Sequence, residues 1–99
     1  MAAAGRRRGL AIIGLGMAST PHAKSLSDLA DRVEVKAAWS RSPERRAAFA
    51  EKFPFPVSGD FEAILADPQI ELALVLTPPD ARVEIVQRLA AAGKHILAE

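Results

Sequence analysis

Short apolar runs alternate with longer amphipathic segments along the chain. Apolar runs of this length, bounded by glycine, proline or polar residues, are typical of strands that a parallel sheet buries on both faces. We expect such strands at residues 10–13, 33–39, 72–76 and 95–98. A fifth, short strand near Val57 is expected only at an edge of the sheet, because Pro54 and Pro56 lack the amide hydrogens that a central strand donates.

The segments between these runs have the three- and four-residue apolar spacing of helices. We expect a first helix over about residues 20–31, with a buried face that carries Ala23, Leu26, Leu29 and Ala30. Ser42 caps a second helix that has Pro43 at its first position and continues to about Lys52, and Asp60 caps a short third one.

The last helix follows Pro79 and stops at Gly93, a usual residue after a helix C-terminus. Its buried face is expected to carry Val83, Val86, Leu89 and Ala90. Strands that alternate with helices in this way imply right-handed crossovers. The predicted fold class is therefore α/β, a doubly wound parallel sheet with helices on both faces.

Composition narrows the function classes. Hydrophobic residues make up 49% and charged residues 25% of the 99 residues, which is usual for a soluble domain without membrane spans. The net charge of +1 argues against a nucleic-acid partner, and the absence of cysteine excludes disulfides and zinc–thiolate sites. The expected location is the cytoplasm, because a chain without cysteine fits a reducing compartment. Arg6, Arg7 and Arg8 with the apolar run after them resemble the start of an export signal, but glycines break the run and no cleavage site follows.

A glycine motif, Gly14-Leu15-Gly16-Met17-Ala18-Ser19, lies where the first strand turns into the first helix. In this position Gly14 allows the tight turn, Gly16 allows the backbone to approach a pyrophosphate, and the free amides of the helix start attract its charge. Gly14, Gly16, Met17 and Ala18 are therefore candidate cofactor-binding residues in a Rossmann-type domain. The alternative is a glycine turn without a ligand. If Thr20 caps the helix and Pro21 begins it, the phosphate-facing amides are shifted.

The residues after the second strand bear on the choice of cofactor. An acid at this place commonly binds the adenosine ribose of NAD, but this chain has Ser40 and Arg41 there. A hydroxyl beside a guanidinium suits the 2′-phosphate of NADP, because arginine pairs bidentately with phosphate. We therefore expect NADP in preference to NAD. The alternative is that Arg41 is a solvated loop arginine.

Several motifs together resemble the glucose-fructose oxidoreductase and inositol dehydrogenase family (Gfo/Idh/MocA). They are Gly14-Leu15-Gly16 with His22-Ala23, then Ser42-Pro43-Glu44-Arg45, Thr77-Pro78-Pro79, and the segment 92–99. The resemblance implies that Thr77, Pro78 and Pro79 lie along the cofactor toward its nicotinamide end, with Glu99 near the same site. It also implies a catalytic lysine directly after Glu99. Arg82 departs from the histidine that is common at its position.

The resemblance further implies a larger second domain that binds substrate and forms a homo-oligomer interface, and that domain is absent from this chain. We expect residues 1–8 to form a flexible segment and residues 9–99 the NAD(P)-binding domain of a longer oxidoreductase. Its substrate would be a small sugar, cyclitol or related polyol, and the fragment alone would be inactive. No metal site or catalytic residue is expected within the chain, and His22, Trp39 and His95 are expected to be structural. The alternative for Trp39 is a place near the adenine of the cofactor.

Two other functions fit the sequence. One is a noncatalytic nucleotide-sensing or scaffold module of the same fold. The other is a methyltransferase, which also places glycines after its first strand, although Ser40 replaces the acid expected there for the ribose.

Overall fold

Five strands and four helices alternate along the described part of the chain. The computed structural model describes residues 7–16 and 19–98, so Met17, Ala18 and Glu99 lie outside the described residues. The strands are β1 (Arg8–Ile13), β2 (Val33–Trp39), β3 (Val57–Ser58), β4 (Ile70–Val75) and β5 (His95–Ala98). The helices are α1 (Ser19–Asp28), α2 (Pro43–Lys52), α3 (Phe61–Ala66) and α4 (Pro79–Ala91).

The strands form one parallel sheet in the order β3-β2-β1-β4-β5. The chain leaves β1 toward β2 and β3 on one side, and then returns past β1 to β4 and β5 on the other. The order of the strands therefore reverses between β1 and β4, where doubly wound sheets open a crevice at the carboxyl ends of their strands. This architecture confirms the predicted Rossmann-like α/β class, and β3 is the expected short edge strand.

A hydrophobic core covers each face of the sheet. Successive side chains of a strand point to opposite faces, and β1 shows this clearly. Leu10 and Ile12 pack in the core under α1 and α2, whereas Ala11 and Ile13 pack in the core under α3 and α4. β1 is thus buried on both faces, as its apolar sequence predicts.

Local capping fixes three helix ends where the sequence predicts them. The Ser42 side chain accepts a hydrogen bond from the Arg45 amide, and the Asp60 side chain accepts one from the Ala63 amide. Each bond satisfies an amide that the first turn leaves without a helical partner. After α4 the chain turns at Gly93, whose φ of +81° is the left-handed conformation that favours glycine.

The expected bounds of α1 and its buried face are partly wrong. The helix begins at Ser19, so Thr20 is not its cap, and Pro21 lies in the first turn, where its missing amide hydrogen breaks no helical bond. The helix also ends at Asp28, before the expected end. Leu29 and Ala30 are exposed, because the chain already turns there toward β2.

The expected buried face of α4 is also partly wrong. Val83 is 64% exposed and Ala90 is exposed, whereas Ile85 and Leu89 are buried against the sheet. Two sets of apolar residues in α4 have helical spacing, one with Ile85 and Leu89 and the other with Val83, Val86 and Ala90. Spacing alone therefore does not determine which set faces the sheet. The direction in which the chain leaves β4 sets the phase of the helix, and the sequence pattern contains no information about that direction.

Candidate cofactor-binding site

The loops after β1, β2 and β4 meet at the carboxyl edge of the sheet around a cavity of about 200 Å³, which we name the switch-point cavity. Five of the predicted cofactor-binding residues line it, namely Gly14, Ser40, Arg41, Thr77 and Pro78. These residues are distant in sequence, and the topology brings them together where the strand order reverses. Leu15, Trp39, Ser42, Arg45, Ala81 and Ile85 complete its lining.

The two glycines of the motif have different geometric roles. Gly14 has a φ of +108°, and a Cβ atom there would lie 3.0 Å from backbone atoms of Leu76 and Thr77. The fold itself therefore requires glycine at position 14. Among the described residues, the nearest atom to a Cβ at position 16 would be Arg45 Nη1 at 3.6 Å, which is ordinary contact with a movable side chain. The described surroundings of Gly16 therefore leave room for a Cβ atom, as expected if the glycine serves a ligand.

The start of α1 borders a second cavity, of about 510 Å³, which we name the glycine-loop cavity. Gly16, Ser19, Thr20, Arg45 and Lys52 are among its lining residues. The Gly16 carbonyl accepts hydrogen bonds from the Ser19 amide at 3.0 Å and from Ser19 Oγ at 2.7 Å. This carbonyl is thus bonded within the turn. Met17 and Ala18, which the sequence assigns to the same site, lie outside the described residues.

Three hydrogen bonds hold the loop between β2 and α2. Ser40 Oγ accepts from the Ser42 amide at 3.1 Å, and Ser42 Oγ accepts from the Arg45 amide at 3.2 Å. Arg46 Nη1 donates to the Ser40 carbonyl oxygen at 2.6 Å. Because the Ser40 oxygen accepts the Ser42 amide, its own hydroxyl hydrogen is available to donate to a ligand.

Arg45 is a further candidate residue, which the sequence analysis assigned only to a family motif. It lines both cavities, whereas Arg41 lines the switch-point cavity alone. Among the described residues around the two cavities, Arg41, Arg45 and Lys52 are cationic and none is acidic. The Ser42 cap is the signal that could have identified Arg45, because it places the start of α2, and with it this arginine, at the same sheet edge as the glycine motif.

The loop between β4 and α4 forms the opposite wall of the switch-point cavity. Thr77 is buried and Pro78 lines the cavity, whereas Pro79 lines neither cavity and begins α4. Arg82 Nη2 donates to the Thr77 carbonyl oxygen at 3.1 Å. Arg82 therefore holds this loop, a role that the sequence comparison with the family's histidine did not suggest.

Two residues of the switch-point cavity carry buried polar atoms without a hydrogen-bond partner. They are Trp39 Nε1 and Thr77 Oγ1, in residues that are each 6% exposed. Trp39 is also part of the core, as expected, and its ring lies 5.1 Å from the Phe61 ring between centroids. Buried polar groups are normally hydrogen-bonded, so both atoms fit a cavity that receives a polar ligand.

The two histidines lie away from this site. His22 and His95 line another, largely apolar cavity of about 320 Å³ between α1 and the strands β4 and β5. The described ranges 7–16 and 19–98 contain no group of three or more side chains that could hold a metal ion. None of the described helices is long and apolar enough to cross a membrane.

Comparison with known proteins identifies the family. The chain is 38% identical over 94 residues to an uncharacterised oxidoreductase of Schizosaccharomyces pombe, covering 90% of this chain and 25% of that protein. It is 32% identical over 87 residues to dTDP-3,4-didehydro-2,6-dideoxy-alpha-D-glucose 3-reductase of Saccharopolyspora spinosa, covering 86% of this chain and 26% of that protein.

Among solved structures, levoglucosan dehydrogenase in complex with NADH and L-sorbose matches with a TM-score of 0.82 and 26% identity. The match covers 93% of this chain and 26% of that one. The chain thus spans about a quarter of the length of the relatives it matches. The family model for GFO_IDH_MocA, described as "Oxidoreductase family, NAD-binding Rossmann fold", matches residues 8–99. The chain belongs to this oxidoreductase family and contains its NAD-binding Rossmann domain.

Proposed function

We propose that this chain forms the dinucleotide-binding part of an oxidoreductase that prefers NADP to NAD and acts on CH–OH groups of a sugar, cyclitol or related polyol. One observation carries the proposal: the loops after β1, β2 and β4 meet around one cavity at the point where the strand order reverses. Ligands of open α/β sheets bind in this crevice. The substrate class is supported by similarity to a levoglucosan dehydrogenase and a dTDP-sugar reductase.

The pyrophosphate of the cofactor is proposed to lie against Gly16 and the start of α1. The missing side chain at Gly16 leaves the approach open, and free amides at a helix start favour an anion. Lys52 and Arg45 add positive charge to the glycine-loop cavity beside this turn. Met17 and Ala18 remain predicted contacts of the same group, and Glu99 a predicted neighbour of the nicotinamide.

The 2′-phosphate of NADP is proposed to bind between the loop after β2 and the first turn of α2. The Ser40 hydroxyl has its hydrogen available, and Arg41 and Arg45 line the same cavity. Glu44, the acid in the first turn of α2, lines neither cavity. This wall therefore offers donors and positive charge to a phosphate, and no lining carboxylate to bind a free ribose diol.

When bound, the nicotinamide cofactor would supply the hydride-transfer chemistry. This chain's own contribution is to bind the cofactor and fix its orientation. Arg46 and Arg82 are positioning residues in this scheme. Arg46 donates to the Ser40 carbonyl oxygen in the loop after β2, and Arg82 donates to the Thr77 carbonyl oxygen in the loop after β4. Substrate binding and proton transfer are proposed for the part of the full-length protein that corresponds to the rest of its relatives.

Calorimetric titration of the chain with NADPH and with NADH tests the proposal. Hydrogen bonds to charged groups are worth about 1.5 to 3 kcal/mol, so NADPH should bind roughly tenfold to 150-fold more tightly. Arg41→Ala and Arg45→Ala should each narrow this difference. Arg32→Ala removes the same charge from an exposed site that lines neither cavity and should leave the difference unchanged.

Each negative outcome removes a different part of the proposal. Equal affinities for NADPH and NADH in the unmutated chain would overturn the NADP preference and leave dinucleotide binding standing. Failure of the folded chain to bind either cofactor would overturn the proposed function itself and favour a module that does not use a nicotinamide dinucleotide.

A further inference from the structure

Trp39 and Thr77 share a feature that packing does not explain. Both line the switch-point cavity, and both carry a buried side-chain atom without a hydrogen-bond partner, Trp39 Nε1 and Thr77 Oγ1. Unpartnered buried polar atoms are few in a folded domain and each calls for a cause. Two of them around one small cavity point to a ligand that supplies the partners.

The indole of Trp39 is fixed in place. Its ring packs against Phe61 in a tilted arrangement with centroids 5.1 Å apart, and its backbone carbonyl accepts a hydrogen bond from the Gly14 amide at 2.9 Å. The indole nitrogen is a donor only. A ligand group that satisfies it must therefore be an acceptor, such as the ring nitrogen of a heteroaromatic base.

Thr77 is held from the other side of the cavity. Its carbonyl oxygen accepts from Arg82 Nη2 at 3.1 Å, which fixes the backbone and leaves the hydroxyl free to rotate. A hydroxyl both donates and accepts, so it can adapt to either kind of atom on a ligand. Thr77 thus complements the rigid donor of Trp39 with an adjustable group.

The size and walls of the cavity restrict the ligand further. A volume of about 200 Å³ lies below the range of roughly 300 to 1,000 Å³ of sites that enclose a drug-sized ligand. It suits one flat ring system of a larger molecule. Pro78, Ala81 and Ile85 supply an apolar wall, and Ser40 and Arg41 supply a polar rim.

We propose that Trp39 and Thr77 recognise the adenosine moiety of the dinucleotide, with Trp39 Nε1 donating to a ring nitrogen of adenine and the Thr77 hydroxyl bonding to the same nucleoside. This inference rests on the proposed function. Both atoms are covered by protein in the free chain, so the ring must shift the cavity wall as it enters. The family resemblance instead implies that Thr77 lies toward the nicotinamide end of the cofactor. The two assignments predict different responses to AMP and to nicotinamide mononucleotide.

The affinity of the folded variants distinguishes this role from a structural one. Trp39→Phe removes the unpartnered donor and keeps an aromatic ring against Phe61. The free variant should remain folded and lose only the stability that the smaller ring accounts for, while its affinity for adenosine ligands falls. If Trp39 only packed in the core, the variant would lose that stability and the folded variant would keep its affinity. Thr77→Val should behave in the same way, and the matched control Thr77→Ser retains the hydroxyl and should retain the affinity.

The probes are NADPH, AMP and nicotinamide mononucleotide. Trp39 is the single tryptophan of the chain, so its fluorescence reports directly on the cavity. AMP and NADPH should both change this fluorescence, and nicotinamide mononucleotide should not. By calorimetry, Trp39→Phe and Thr77→Val should each weaken AMP and NADPH about tenfold, which corresponds to about 1.4 kcal/mol. The ratio between NADPH and NADH affinities should stay the same, because neither residue is assigned to the 2′-phosphate.

Several results would overturn the inference while the proposed function stands. The first is NADPH binding that Thr77→Val and Trp39→Phe leave unchanged. The second is a fluorescence response to nicotinamide mononucleotide rather than to AMP. The third is a Trp39→Phe variant that loses stability and keeps its affinity. If Trp39→Phe does not fold, the comparison of Thr77→Val with Thr77→Ser decides the question. Absence of binding by the unmutated chain would instead overturn the proposed function.

Discussion

Replacement of Gly16 by valine is expected to weaken NADPH and NADH binding by the same factor without unfolding the chain. Among the described residues, the nearest atom to a Cβ at this position is the end of the Arg45 side chain at 3.6 Å, a movable group that can yield to the valine methyl groups. Its free energy of unfolding should stay within about 1 kcal/mol of the parent. A pyrophosphate that approaches the backbone at Gly16 needs the space that valine occupies. Loss of one hydrogen bond to a charged group costs about 1.5 to 3 kcal/mol, or roughly tenfold to 150-fold in affinity.

Gly14→Ala is the matched control, because it should lower the stability of the chain, whereas Gly16→Val should lower its affinity for the cofactors. The φ of +108° strains any residue other than glycine, and a Cβ would lie only 3.0 Å from backbone atoms of Leu76 and Thr77. A non-glycine residue in such backbone geometry costs on the order of 1 to 3 kcal/mol, so this variant should lose stability in urea unfolding.

Urea unfolding and calorimetry on both variants separate the two glycines. A folded Gly16→Val that binds both cofactors normally would refute the reasoning and place the pyrophosphate elsewhere. A loss confined to NADPH would show that the valine acts by displacing Arg45 and not by blocking the pyrophosphate.

Four further outcomes are expected. Arg46→Met should weaken NADPH binding several-fold without contacting the cofactor, because it frees the Ser40 carbonyl; unchanged affinity in calorimetry would contradict this. Ser42→Ala should lower the free energy of unfolding by about 1 kcal/mol through loss of the helix cap, and a urea midpoint equal to the parent's would contradict it. Ile85→Ala should cost about 2 to 5 kcal/mol and Val83→Ala well under 1 kcal/mol, since only Ile85 is buried; equal losses in urea unfolding would refute this. The chain alone should show no dehydrogenase turnover on a panel of sugars and cyclitols. Substrate positioning can supply roughly 7 to 11 kcal/mol of the barrier reduction, and no described lining residue of either cavity is a carboxylate or imidazole that could transfer the proton. Measurable turnover by the chain alone would contradict it.

The order of elements and the meeting of the candidate residues at one edge of the sheet were predictable from local signals. Apolar runs such as that of β4 have few other stable arrangements, and a glycine motif between a strand and a helix marks the carboxyl edge of the first strand. Parallel topology then places the ends of β2 and β4 beside it. This is why Gly14, Ser40 and Thr77, which are far apart in sequence, were expected to lie together and do line one cavity.

The phases of the helices and the choice among neighbouring residues were not predictable. Val83 and Ile85 belong to two stripes of one helix that look equally apolar, and the chain's path after β4 decides which stripe is buried. The Ser42 cap places Arg45 at the carboxyl edge of the sheet, but its approach to Gly16 depends on how α1 and α2 pack, which the sequence does not specify. Trp39 Nε1 lacks a hydrogen-bond partner because of how all the surrounding atoms are arranged, and no local sequence pattern specifies that arrangement.

Backbone and indole NMR of the ¹⁵N-labelled chain, titrated with NADP⁺, tests the central claim most directly. The claim is that the dinucleotide binds at the carboxyl edge of the sheet, around the loops after β1, β2 and β4. The account expects the largest shift changes at the amides of Gly16, Ser40, Arg41 and Thr77, and at the single indole signal of Trp39.

The opposite edge of the sheet provides the comparison. Gly9, Lys36 and Gln69 line a cavity of about 320 Å³ there. The NMR signals of these three residues should not shift. The signals of residues at the carboxyl edge should shift along titration curves that give one common dissociation constant for NADP⁺. Shift changes that cluster at Gly9, Lys36 and Gln69 and spare Gly16 and Ser40 would contradict the account.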